Sequence, residues 1–225
     1  ALQSGDVNGD GIADLVQGCY GLNRIWIGDG AGSFLPLSQL FPADVTYAIH
    51  LDDLDGDGDL DLVSGNSTGR HNRLWINDGN GIFSDSGQIL GVMEVRSITS
   101  GDIDQDGDAD LVLGMTGAGS IGFPDAIWHN DGSGHFSEAP SPDADGSASL
   151  AVALGDLDLD GDLDLVTAAV TGLRVQWNLG GFFSSAEWLA SGYHDSVQLL
   201  DVDGDGDLDL QSASAALDLE TWISR

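Results

Sequence analysis

The sequence contains no lysine, and arginine occurs only six times in 225 residues. Nucleic acid and anionic membrane surfaces are therefore poor partners, because both need Lys or Arg to neutralise phosphate. The single cysteine, Cys19, excludes an internal disulfide framework and reads as a small buried apolar side chain. No apolar run approaches the roughly 18 to 20 residues of a membrane helix. No stretch carries the apolar stripe of a three-turn helix. The opening residues, ALQSGD, do not form a leader, so export would require that a leader had already been removed.

Acidity is what the chain has in excess. It carries 38 Asp and Glu against 6 Arg, a net charge of −32. Only Glu94, Glu138, Glu187 and Glu220 are glutamates, which leaves 38 − 4 = 34 Asp. A disordered acidic chain would mix both acids and hold few large apolar residues. This one combines Asp with 6 Trp, 7 Phe and 33 Gly, a folded composition that uses Asp locally.

The use is periodic. The pattern D-x-[DN]-x-D-G-x-x-D followed by Leu starts at Asp6, Asp53, Asp102, Asp156 and Asp201. Its alternate positions hold 23 of the 34 Asp, so the acidity is concentrated in five loops. Position 6 is always Gly (Gly11, Gly58, Gly107, Gly161, Gly206), as a chain turning sharply around an ion requires. Position 2 is always aliphatic and position 10 always Leu, which predicts anchoring of each loop to a core at both ends.

Four carboxylates in nine residues repel one another unless a cation joins them. Hard oxygen donors point to Ca²⁺, one ion per loop and five in all; Mg²⁺ would keep more water, and without His or Cys in the loops zinc or copper is disfavoured. The expected side-chain ligands are Asp6, Asn8, Asp10 and Asp14 in the first loop and Asp53, Asp55, Asp57 and Asp61 in the second. The third offers Asp102, Asp104, Asp106 and Asp110, and the fourth Asp156, Asp158, Asp160 and Asp164. The fifth offers Asp201, Asp203, Asp205 and Asp209. Position 7 (Ile12, Asp59, Asp108, Asp162, Asp207) is assigned through its backbone carbonyl, because Ile12 has no ligating side chain. An EF-hand is excluded, since position 12 reads Gln17, Ser64, Leu113, Thr167 and Ser212 instead of Glu, and the flanks are β-like.

A second pattern follows each loop: RIWIGDGAGSF, RLWINDGNGIF, AIWHNDGSGHF and the degraded RVQWNLGGFF. Alternating apolar residues around a glycine turn mark a β-hairpin. One strand before the loop, one after it and two in the hairpin give four strands in about 47 residues, the size of a propeller blade. The predicted fold is an all-β propeller of about five blades in one domain, with repeats at 1–43, 44–93, 94–147, 148–194 and 195–225. The last repeat ends after its third strand, leaving an edge around Leu219 to Ser224 that could accept a strand from another chain.

The loops, with the following NDGxGxF turns, resemble FG-GAP/VCBS repeats. That resemblance implies calcium-binding propeller blades like those of integrin alpha subunits and of secreted bacterial and fungal proteins.

No catalytic pattern emerges. The acids outside the loops (Asp44, Asp85, Asp125, Asp195, Glu138) form no pair, the five His show no ligand spacing, and no nucleophile elbow occurs. Trp26, Trp75, Trp128 and Trp222 recur with the repeat and are expected to pack between blades, as Arg24, Arg73 and Arg174 are expected to serve structure. Trp177, one residue out of phase, is with Trp188 and Tyr193 the candidate exposed aromatic contact. The expected function is a secreted or surface-exposed, non-enzymatic recognition, adhesion or assembly module with a protein or glycan partner. A carbohydrate-binding lectin and a structural subunit of a surface assembly are the alternatives, and a polysaccharide-acting enzyme ranks last.

Overall fold

The computed structural model describes residues 1–39, 41–117, 122–141, 146–214 and 217–222. Twenty β-strands and no helix occur among them. Among the described residues no helix is long and apolar enough to cross a membrane.

The strands form five antiparallel sheets in chain order. The first contains β1 (Leu2–Gly5), β2 (Asp14–Gln17), β4 (Arg24–Gly28) and β5 (Phe34–Pro36). The second contains β6 (Ala43–Asp52), β7 (Asp61–Asn66), β8 (Arg73–Asn77) and β9 (Phe83–Ile89). The third runs through β10 (Glu94–Gly101), β11 (Asp110–Thr116), β12 (Ala126–Asn130) and β13 (Phe136–Ala139). The fourth runs through β14 (Ser149–Gly155), β15 (Asp164–Ala169), β16 (Gly172–Gln176) and β17 (Glu187–Ser191). The fifth has three strands, β18 (Ser196–Leu200), β19 (Asp209–Ser214) and β20 (Leu217–Trp222). In every sheet the acidic loop joins the first strand to the second.

One strand departs from the four-per-repeat expectation. β3 (Tyr20–Leu22), in the first repeat, pairs with β6 through Tyr20 and Val45, so the second sheet has five strands. Tyr20 lies edge-on to Tyr47 with ring centroids 5.7 Å apart, which couples the two sheets at this crossing.

The sheets are stacked as layers. β1 packs beside β6, β6 beside β10, β10 beside β14, and β14 beside β18, a propeller-like succession. Four apolar clusters fill the four spaces between consecutive sheets. Val16 and Ile25 meet Leu62 and Trp75; Leu54 and Val63 meet Val95 and Leu111; Val112 meets Val152 and Leu165; Val166 and Val175 meet Leu210. β7, β11 and β15 are consequently buried at every residue. Burial on both faces explains why DLVSGN, DLVLGMT and DLVTAA are nearly continuous small and apolar runs, without the alternation of a half-exposed strand.

The recurring aromatics and arginines divide. Trp75 is buried against Phe41, centroids 5.1 Å apart and rings near perpendicular. Trp128 and Trp222 pack on the second and fourth clusters. Trp177 also joins the fourth cluster and donates to Glu187 Oε2 at 3.2 Å, so it is not the expected free contact. Its strand has ended at Gln176, and the phase argument from a continuing strand no longer applies to it. Trp188 and Tyr193 are exposed as expected. Arg73 pairs with Asp85 at 2.6 Å, whereas Arg24 is exposed. Arg174 is fully buried against Asp125, whose Oδ2 also accepts from Ser149 Oγ at 3.0 Å. Asp125 is thus a node of the interior, which its isolation in sequence did not suggest. Cys19 is half-buried, because it lies in the turn before β3 and not in a sheet core.

Candidate metal centres

Each loop is held by two carboxylates that receive backbone N–H groups from opposite ends. At position 1, the Oδ2 atoms of Asp6, Asp53, Asp102, Asp156 and Asp201 accept from the position-6 glycine at 2.7, 3.0, 3.1, 3.1 and 3.1 Å. These glycines have φ between 82° and 100°, where a Cβ is strained. Position 4 needs the same handedness. Gly9, Gly56 and Gly204 satisfy it freely, while Gln105 and Leu159 adopt φ 62° as non-glycine residues.

Position 9 is the second anchor. Asp14, Asp61, Asp110, Asp164 and Asp209 are buried. Their Oδ2 atoms accept from position 2 (Val7, Leu54, Ile103, Leu157, Val202) at 2.8–3.1 Å. In the first four loops Oδ1 accepts from the end of the hairpin strand, Gly28, Asn77, Asn130 or Asn178, at 2.8–2.9 Å. The position-9 carboxylate therefore ties its loop to its own sheet.

The remaining donors face inward. The position-5 Oδ1 atoms of Asp10, Asp57, Asp106, Asp160 and Asp205 accept the position-7 N–H at 2.8–3.3 Å. Three carboxylates come within 4.8 Å of one another in Asp53/Asp55/Asp57, Asp102/Asp104/Asp106, Asp156/Asp158/Asp164 and Asp201/Asp203/Asp209. The first loop has no such trio among the described residues; Asn8 stands at its position 3, and its Oδ1 accepts the Asp10 N–H at 3.0 Å. The position-7 side chains of the second, third and fourth loops reach the glycine turn of the hairpin. Asp162 Oδ2 accepts from Gly180 N at 3.0 Å, and Asp59 and Asp108 lie against Gly79 and Gly132.

The electrostatics suit a cation. Burial pushes the carboxyl of Asp61 up to about 7, against the lowering effect of N–H donation from Asn77 and Leu54. Burial also raises Asp110 and Asp164. Asp55, Asp108 and Asp203 are raised by burial and by neighbouring carboxylates. Donation from Gly11, by contrast, lowers Asp6. Asp102 Oδ1 is a buried atom without a hydrogen-bond partner, an orphan that a cation would satisfy. The donor set is oxygen throughout four loops, and it fits a hard dication.

The third loop has one addition that spacing did not reveal. His129 places Nδ1 3.2 Å from Asp104 Oδ2 and 3.4 Å from Asp110 Oδ2. The only sequence sign was that this hairpin position is Ile27 and Ile76 in the first two repeats. The aliphatic anchors are graded too. Val7, Leu54 and Ile103 are buried beneath the next repeat's hairpin, whereas Val202 is 43% exposed because no described hairpin follows it.

Three segments, residues 53–113, 119–167 and 156–211, match the FG-GAP-like repeat. The chain belongs to the FG-GAP-like repeat family. A comparison with curated proteins found no match. Among solved structures, this FG-GAP chain is similar to an Agrocybe aegerita lectin described for specific recognition of non-reducing terminal N-acetylglucosamine. They share 21% identity and a TM-score of 0.62 over 94% of this chain and 60% of the lectin, so this chain spans less than two thirds of that protein. It is also similar to part of the Photorhabdus luminescens Tc holotoxin pore, at 26% identity and TM-score 0.51, over 98% of this chain and 11% of that one. A third likeness is to BBS1N, solved in complex with ARL6DN, at 16% identity and TM-score 0.51 over 98% of this chain and 78% of that one. The lectin and BBS1N likenesses concern the fold.

Proposed function

We propose that this FG-GAP chain is a calcium-loaded, five-bladed propeller that works outside the cell as a non-enzymatic recognition or assembly module. The observation that carries the reading is the repeated loop, in which inward carboxylates converge while position 9 pins them to the sheet. Asp6, Asn8, Asp10, the Ile12 carbonyl and Asp14, with their counterparts in the other four loops, would hold the ions. Bound calcium supplies positive charge that offsets the carboxylates and fixes the loop; five ions would reduce −32 to −22. The chain's own residues do the rest. Position-6 glycines turn the backbone, position-9 carboxylates join loop to sheet, and the sheets present their outer rims as recognition surfaces.

Ring closure, in which β18 would approach β1, belongs to this proposal and extends the observed succession of first strands. Millimolar extracellular calcium suits sites of this kind, which supports a secreted or cell-surface setting. Melting with calcium and with chelator tests the reading. Binding to the native state alone predicts a large rise in melting temperature with calcium, and coincident curves would sink it.

Saccharide recognition is the second reading, favoured by the fold likeness to a lectin that recognises N-acetylglucosamine. A glycan array on the calcium-loaded protein separates it from protein recognition. Assembly through β20 is a further form of the first reading. Among the described residues β20 pairs only with β19, and Leu219 is 62% exposed. The expected edge residue Ser224 lies outside the described residues.

A further inference from the structure

The first two junctions between consecutive sheets are closed at the outer rim by a repeated glutamine clasp, and the third has serine at the equivalent position. Gln39, five residues after Phe34, takes the Phe83 N–H on Oε1 at 2.9 Å and donates Nε2 to the Phe83 carbonyl. Gln88, five residues after Phe83, takes the Phe136 N–H at 2.8 Å and donates to the Gly134 carbonyl. The same step from Phe136 reaches Ser141. Serine lacks the side-chain carboxamide through which Gln39 and Gln88 make this pairing.

A cavity of about 560 Å³ lies at this junction, between the third sheet and the Gly180–Phe183 turn. Its size falls within the range of small-ligand pockets. Asp104, His129, Glu138 and Ser141 form its polar part, and Phe182 and Phe183 its aromatic wall. Phe182 is 72% exposed. No Lys, Arg, Asn or Gln contributes to the lining. Ionised carboxylates only accept hydrogen bonds, so Asp104 and Glu138 call for an occupant that brings donors. An aromatic face beside them attracts a cation through its quadrupole. A dication in the third loop would not cancel the field. Asp102, Asp104, Asp106, Asp108 and Asp110 carry −5, which becomes −3, and Glu138 stands outside the loop. The whole-chain charge of −32 steers cations toward any such cleft.

We propose that the cleft between the third and fourth sheets takes a guanidinium or ammonium side chain offered by a basic partner protein. Glu138 and Asp104 accept its N–H groups, while Phe182 covers its cationic face. The site rests on the reading of this chain as a recognition module and supplies the partner chemistry for it.

The test uses the calcium-loaded protein and amide NMR spectra during titration with acetyl-arginine amide, compared with the neutral acetyl-citrulline amide. Arginine should shift Gly180, Gly181, Phe182 and Phe183 saturably, and citrulline should not. Glu138→Gln and Phe182→Ala should each weaken binding at least fivefold, whereas Asp195→Asn, an equal charge change on an exposed acid elsewhere, should leave it within twofold. Equal response to citrulline, shifts scattered over all five acidic loops, or an unaffected Glu138→Gln variant would each overturn the proposal. So would chitobiose shifting these four amides while arginine leaves them unmoved. Calcium-dependent melting of the same samples reports separately on the wider reading. If that dependence persists without arginine binding, only the cleft assignment falls.

Discussion

The side-chain amide of Asn130 donates to the carbonyl of Leu54 across 2.9 Å and 76 residues of sequence. The same Nδ2 donates to Ala109 O at 3.1 Å, and the Asn130 N–H is held by Asp110 Oδ1 at 2.8 Å. One side chain thus connects the third loop with position 2 of the second. Asn77 repeats the link to Val7 O at 2.9 Å, and Asn178 repeats it to Ile103 O at 2.8 Å. The first four loops are therefore joined in succession.

Removing the clasp gives the first prediction. Asn130→Ala leaves two carbonyls unsatisfied at a buried junction and should cost about 2–4 kcal/mol of stability. Because the link spans two loops, calcium affinity should fall at both the second and third sites, with the fifth unaffected. Denaturant unfolding and site-resolved calcium titration measure the two effects. A loss confined to the third loop would mean that the clasp does not transmit between neighbours.

The second prediction concerns pH in the absence of calcium. Asp61 titrates near 7 in the fold, because burial disfavours its charge, and near 4 in the unfolded chain. A raised carboxyl value means that the folded state binds the extra proton. Its contribution is complete below about pH 4 and is lost as pH rises toward about 7. Asp110 and Asp164 are shifted the same way. In chelator, the melting temperature should therefore fall between pH 5 and 7.5. Calcium selects the ionised carboxylates, so the loaded protein should be flat or rise over that window. Parallel profiles with and without calcium would contradict the argument.

The loops were legible in the sequence because everything that defines them is local. Asp6 to Leu15 contains its own carboxylates, its Gly11 turn and its Val7 anchor. The sheets were legible for the same reason, since each hairpin carries its turn. The features that join repeats were not. Asn130 reads as an ordinary turn residue beside Asp131 and Gly132, and its partner Leu54 is fixed only by the packing of two sheets. Gln39 follows β5, Gln88 sits near the end of β9, and both acquire meaning from the backbone 44 to 48 residues later. β3 escaped notice because three residues with an exposed Tyr20 show no alternation long enough to count.

Strain at position 4 yields a third prediction. Leu159 holds φ 62° and is 66% exposed, so its side chain contributes little burial to offset the left-handed backbone. That backbone costs about 1–2 kcal/mol for an L-residue, while glycine costs about 0.5–1 kcal/mol of chain entropy. Leu159→Gly should stabilise the metal-free protein by about 0.5–1 kcal/mol. Gly58→Ala, at φ 94°, should destabilise it. Thermal unfolding of both variants decides the matter, and a destabilised Leu159→Gly would show that the leucine makes contacts worth more than the strain.

The fourth prediction ranks the sites. The first loop has Asn8 at position 3 and Ile12 at position 7, so it contributes −3 through its four side-chain ligands where every other loop contributes −4. It is also the loop without a carboxylate trio within 4.8 Å among the described residues. Each missing carboxylate weakens the attraction for a dication, so the first loop should bind calcium least tightly. Asn8→Asp should strengthen it toward the others, whereas Asp57→Ala should drop the second loop below it. Calorimetric titration of these variants gives the order directly. A first loop that proves the tightest would mean that backbone preorganisation outweighs ligand charge in this fold.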